Sequence, residues 1–159
     1  EHNALYDVEN ENVKMNFYDY SGDNNLPNTY CNERIHAFVL VFDFTNPKSL
    51  KMLPEIMQCY KIGTRPVLLV GSKSDLVDNR AIKSEDAIQF AIDKKCFSYL
   101  EVSSNTGENA YKVPVQVLTQ LLNNNKQQEI DALFKSTFMA AFPTRKIPIL
   151  TSLKKSSPD

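Results

Sequence analysis

The run Val67-Leu68-Leu69-Val70-Gly71 constrains this chain more than any other stretch. Four consecutive apolar β-formers show no polar alternation, so they do not line a sheet face that is half in water. They predict a central parallel strand covered on both faces. Ser72-Lys73-Ser74-Asp75 follows and sets two charged residues just past its C-terminal end. Open α/β sheets bind their ligands outside that end of the strands.

Other segments end in the same manner. Val39-Leu40-Val41-Phe42 is an apolar run closed by Asp43, and Ala37 to Phe42 predicts a second buried strand. Tyr99-Leu100-Glu101-Val102 leads into Ser103-Ser104-Asn105. Near the start, Val13 to Tyr18 alternates like a strand and runs into Asp19-Tyr20-Ser21-Gly22. Ala4 to Val8 gives one more strand signal, and Glu9-Asn10-Glu11-Asn12 is a polar break between the two, as an antiparallel hairpin requires. After Gly22, Asp23-Asn24-Asn25-Leu26-Pro27-Asn28-Thr29 is polar and predicts a loop.

Helical spacing lies between these strands. Leu50, Leu53, Ile56, Met57 and Tyr60 form one stripe over Pro47 to Tyr60, opened by Asn46-Pro47 and interrupted by Pro54. Ser84 is the expected N-cap of a second helix, with Glu85 and Asp86 in its first turn and Ala87, Ile88, Ala91 and Ile92 as its apolar face. Asn109 to Leu122 predicts a third helix through Val113, Val117, Leu118 and Leu121, with Pro114 delaying or bending its start. The order of elements predicts an α/β fold with a doubly wound, mostly parallel sheet. The domain is expected over residues 1–123, with an extension at 124–159. That extension opens on a polar linker, Asn123 to Gln128, continues as a short helix from Glu129 to Phe142 and ends in an extended tail around Ile147 to Leu150.

The strand ends carry a family resemblance. Ser72-Lys73-Ser74-Asp75 resembles the guanine-reading Asn-Lys-x-Asp motif of the Ras superfamily, with Ser72 in the first position. Asp19-Tyr20-Ser21-Gly22 resembles the phosphate-side Asp-Thr-Ala-Gly motif, and Asp23 stands where the family has Gln. Glu101-Val102-Ser103-Ser104-Asn105 resembles Glu-Thr-Ser-Ala-Lys, and Val41-Phe42-Asp43-Phe44-Thr45-Asn46 resembles a stretch common in Rab-type members. The matches run in order from about Ala4 to about Asn123 and resemble a Rab-like small GTPase domain.

The resemblance implies a site. Asp75 would accept two parallel hydrogen bonds from a guanine edge, the Lys73 stem would lie along the base plane, and Ser103, Ser104 and Asn105 would back the base. Ser72 would stand among these guanine-side residues, keeping a hydroxyl but losing the amide that braces neighbouring loops. Asp19 would hold Mg²⁺ through water, and Gly22 would give its amide to the γ-phosphate. Asp23 cannot donate to an attacking water when ionised, which implies slow hydrolysis or poor tolerance of GTP. GTP or GDP with Mg²⁺ would be the cofactors, conditional on a phosphate-cradling loop. The four glycines, Gly22, Gly63, Gly71 and Gly107, do not supply the Gly-x-x-x-x-Gly-Lys spacing of such a loop. The family's first strand, phosphate loop, first helix and first switch are therefore expected upstream of Glu1, in a longer chain. Two functions stay open: a guanine-nucleotide switch or adaptor in trafficking or transport, and a pseudo-GTPase scaffold subunit of a larger assembly.

Composition narrows the partners. A net charge of -1 over 159 residues argues against nucleic acid or anionic membrane as a ligand. No apolar run approaches the roughly 20 residues of a membrane span. Cys31, Cys59 and Cys96 have no metal spacing and fit a reducing compartment such as the cytoplasm. The final residues, Lys154 to Asp159, hold no cysteine for prenylation. Ile130, Phe134, Phe138 and Ile147 to Leu150 call for cover, either from their own domain or from a protein partner that docks on Glu129 to Leu150.

Overall fold

In the computed structural model, residues 2–8, 11–19 and 35–141 are described. They fall into two compact units, residues 1–120 and 121–159. In the first unit, β1 (His2–Val8) and β2 (Glu11–Phe17) pair antiparallel, from His2↔Phe17 down to Val8↔Glu11. The ladder includes Glu11 and Asn12, so the polar break expected over residues 9–12 is shorter than its sequence suggested.

The parallel sheet is built from β3 (Phe38–Asp43), β4 (Val67–Ser72) and β5 (Ser98–Glu101), in that order. β4 is the central strand, and Val67, Leu68, Leu69 and Val70 are all buried, as an unbroken apolar run requires. In β3 the faces differ. Leu40 and Phe42 enter the core, whereas Val39 and Val41 remain exposed. Among the described residues, the hairpin forms a two-stranded sheet of its own.

Two crossovers connect the parallel strands. α1 (Pro47–Cys59) starts where Asn46 Oδ1 accepts from the Lys48 amide at 3.1 Å, and it continues unbroken through Pro54. Leu53 is its buried anchor, with Leu50, Ile56, Met57 and Tyr60 packed around the core. α2 (Ser84–Asp93) buries Ala87 and Ala91, with Phe90 partly buried beside them. Ile88 and Ile92 are exposed, contrary to the expected stripe, because the face follows 87, 90 and 91. Ser84 is the first helical residue and does not cap the helix, since its hydroxyl is engaged by Glu101.

α3 (Lys112–Ala141) is one helix of 30 residues. It starts after Asn109, so Pro114 falls in the first turn, where a missing N–H leaves no bond unmade. Val117 and Leu118 are its buried residues in the first unit. The polar stretch 123–128 does not interrupt it. Asn, Lys and Gln weaken a helix only slightly, and neither Gly nor Pro occurs there to end it. The second unit, within the described residues, is the remainder of this helix. The expected tail at Ile147 to Leu150 lies outside the described residues.

Candidate functional site at the strand ends

Parallel register sets the site. Asp43 pairs with Ser72 and Gly71 with Glu101, so the three parallel strands finish at one level. The loop after β4 is then tied to the end of β5. The Ser74 amide donates to the Val102 carbonyl at 3.1 Å, and the Val102 amide donates to the Gly71 carbonyl at 2.8 Å.

This brings most of the expected guanine-side residues together. The Ser103 hydroxyl, fully buried, donates to Asp75 Oδ1 at 2.6 Å. The Asn105 side-chain amide donates to Asp75 Oδ2 at 3.1 Å. The hydrogen bond from Ser103 is the main reason that the Asp75 carboxyl lies below the ordinary carboxylate range; partial burial opposes the shift and Asn105 adds to it. Asp75 is thus an ionised, oriented acceptor. The Ser103 hydroxyl also accepts from the Thr106 amide at 3.1 Å, which fixes its rotor. The Ser103 amide donates to the Glu108 carbonyl at 3.1 Å. Ser104 is exposed, and its amide makes no hydrogen bond among the described residues.

Ser72 is tied to the neighbouring strand. Its hydroxyl donates to the Phe42 carbonyl at 2.8 Å and braces β3 against β4. Lys73 takes a left-handed backbone with φ 62°, a conformation that costs a non-glycine residue about 1 kcal/mol or more. Its ammonium lies 2.6 Å from Asp43 Oδ2. Ser74 Oγ is buried without a hydrogen-bond partner.

Asp43, Glu101 and Arg80 also act at this end, and none of them was expected as a site residue. Asp43 closes β3, and Oδ1 accepts from the Thr45 amide at 2.8 Å and the Thr45 hydroxyl at 2.7 Å. Burial raises its pKa, but hydrogen bonds from Lys73 and Thr45 outweigh that and hold it below the usual value. Glu101 takes both prongs of Arg80, at 3.0 and 2.8 Å, together with the Ser84 and Tyr99 hydroxyls at 2.6 and 2.8 Å. Burial pushes the Glu101 carboxyl up, while Arg80, Ser84 and Tyr99 together bring it below its ordinary value. The Arg80 guanidinium also lies 3.5 Å from the centre of the Phe44 ring. The available signal for Asp43 was its place as a carboxylate at the end of a buried strand, the same signal that marked Asp75.

Asp19 is exposed two residues past β2, and no hydrogen bond or ion pair links it to this cluster among the described residues. No group of three His, Cys, Asp or Glu is placed to hold a metal among those residues. Gly22 and Asp23 lie outside them. A groove of about 420 Å³ between α1 and α2, lined by Leu50, Pro54, Gln89 and Phe90 among others, includes none of the strand-end residues. No helix among the described residues is long and apolar enough to cross a membrane.

The sequence is similar to known proteins. The sequence model of the Ras family matches residues 1–123. The Ras-related protein RABA4a of Arabidopsis thaliana is 30% identical over 122 residues, covering 73% of this chain and 53% of that protein. The GTP-binding protein ypt4 of Schizosaccharomyces pombe is 31% identical over 124 residues, covering 75% and 53%. A GTP-binding protein Rheb homolog of Dictyostelium discoideum is 32% identical over 91 residues, covering 55% and 49%. The chain spans about half the length of these curated relatives. With its parallel strands ending at one level and its motifs in order, the chain belongs to the Ras family, as a Rab-like small GTPase domain.

Proposed function

We propose that this chain supplies the guanine-recognising side of a nucleotide switch or adaptor that works in trafficking or transport. The observation that carries the reading is the Asp75 carboxylate, ionised and aimed by Ser103 at 2.6 Å. A carboxylate fixed in this way matches the paired N–H donors of a guanine edge and repels adenine, which has no such pair. Lys73 provides a stem beside the base, Ser104 a free amide, and Asn105 a second polar contact. GTP or GDP is the nucleotide class, in line with the name of the ypt4 relative. Mg²⁺ would neutralise phosphate charge, with Asp19, Gly22 and Asp23 on that side. The base side fits a guanine nucleotide, but the chain contains no Gly-x-x-x-x-Gly-Lys loop to cradle phosphates.

Titration with guanosine and adenosine, followed by amide chemical shifts, tests the reading. Guanosine at millimolar concentration should shift Lys73, Asp75 and Ser103 to Asn105, and adenosine should not. Equal responses to the two nucleosides would refute it. GTP with Mg²⁺ should bind this chain no tighter than millimolar, because its phosphates meet no cradle.

A second reading has sequence features in its favour. Asp23 in the Gln position and Ser72 in the Asn position suit a pseudo-GTPase scaffold subunit that docks through Glu129 to Leu150. Truncation after Asn125 separates the cases. A stable truncated domain that drops out of its complex supports docking, and a domain that loses thermal stability places the segment on its own fold.

A further inference from the structure

Lys73 and Asp43 come from the ends of adjacent parallel strands, and their ion pair ties the loop after β4 to the end of β3. We propose that Asp43 is a positioning residue for base recognition: it anchors the Lys73 ammonium so that the side chain lies across the strand ends, ready beside a guanine ring. This rests on the guanine reading of the same site.

The geometry supports a built anchor. Asp43 cannot swing freely, because Thr45 holds Oδ1 twice and leaves Oδ2 for the ammonium. The Asp43 amide donates to Ser49 Oγ at 2.9 Å, fixing the backbone beneath. At the other end, the Leu76 amide donates to the Lys73 carbonyl at 3.1 Å. Both ends of the lysine are therefore held, although its side chain is 53% exposed. An unanchored lysine would sample many rotamers and lose that entropy on meeting a base.

The test uses the 159-residue chain in low-salt buffer, with guanosine as the probe and adenosine as the control. Asp43→Asn retains an acceptor for Thr45 and removes the charge. It should weaken guanosine binding roughly two- to fivefold, the scale of a partly exposed ion pair, with no change for adenosine. Lys73→Met keeps most of the stem without the charge and should lose as much. The double variant should lose no more than either single one. Additive losses, or wild-type affinity in Asp43→Asn, would overturn the proposal.

Lys73 side-chain couplings provide a second readout that needs no ligand and survives loss of the Asp43 variant. A single rotamer in the wild type that becomes averaged in Asp43→Asn supports anchoring. Averaging in the wild type overturns it, whatever guanosine does. If guanosine fails to bind a chain whose Lys73 is fixed, the base reading fails while the anchor stands.

Discussion

Ser103 and Asp75, separated by 28 positions in sequence, meet through a 2.6 Å hydrogen bond from a buried hydroxyl to a carboxylate at the surface. The contact spans the ends of β5 and β4, so it exists only once the crossover through α2 has brought those strands together.

The Asp75 carboxylate should control which base is read. Asp75→Asn replaces one acceptor with an N–H donor, which opposes guanine and suits the second carbonyl of xanthine. Guanosine binding should fall by roughly tenfold, and xanthosine should become the better ligand. Chemical-shift titrations with the two nucleosides check this, and unchanged preference would count against Asp75 as the reader.

Gly71 is crowded. A Cβ there would come within 2.5 Å of Phe44 Cε2 and 2.8 Å of Phe42 Cζ. Both rings are buried and pack edge to face at 5.0 Å, so neither can yield easily. Gly71→Ala should destabilise the domain by about 1–3 kcal/mol, as overpacking does. Urea unfolding gives the value, and a variant as stable as wild type would mean the rings move freely.

Ser74 presents the opposite case. Its hydroxyl is buried and unpaired, so removing it relieves a desolvated polar group. Ser74→Ala should be neutral or stabilising by up to about 1 kcal/mol. A clear loss of stability in thermal unfolding would point to a partner for that hydroxyl.

Acid should weaken the fold through Glu101 and Asp43. Each has a folded pKa below its unfolded value, near 4.5 for Glu and 3.8 for Asp. The folded state then binds fewer protons, so the stabilisation is complete above those unfolded values and fades as pH falls through the lowered folded ones. Unfolding midpoints should be flat from pH 7 to 5 and drop below about pH 4.5. Glu101→Gln should flatten part of that drop while lowering stability at pH 7. A wild-type midpoint that stays constant down to pH 3 would contradict the role of these groups.

Much of this fold was legible because buried parallel strands are written as apolar runs. Val67 to Val70 reveals its place without reference to anything distant, and so do the residues that end it. What stayed hidden depends on partners far along the chain. Ser84 has the chemistry of a cap, yet Glu101, 17 residues away, takes its hydroxyl. Asp43 resembled any strand-end carboxylate until Lys73 was placed against it. The polar stretch 123–128 was read as a linker because polarity and helix breaking are easily confused. In α2, Ile88 and Ile92 are more apolar than Ala87 and Ala91, so hydrophobicity alone turned the helix to the wrong face.

Among the described residues, β3 pairs only with β4, and its Val39 and Val41 face solvent, Val41 with 55% of its surface exposed. An open strand edge beside apolar side chains is a template for another extended chain. Self-association of these 159 residues on their own would therefore have a source that owes nothing to the C-terminal segment. Light scattering against concentration would distinguish the two. A lysine at position 39 should suppress growth that begins at the sheet, and truncation after Asn125 should leave that growth intact.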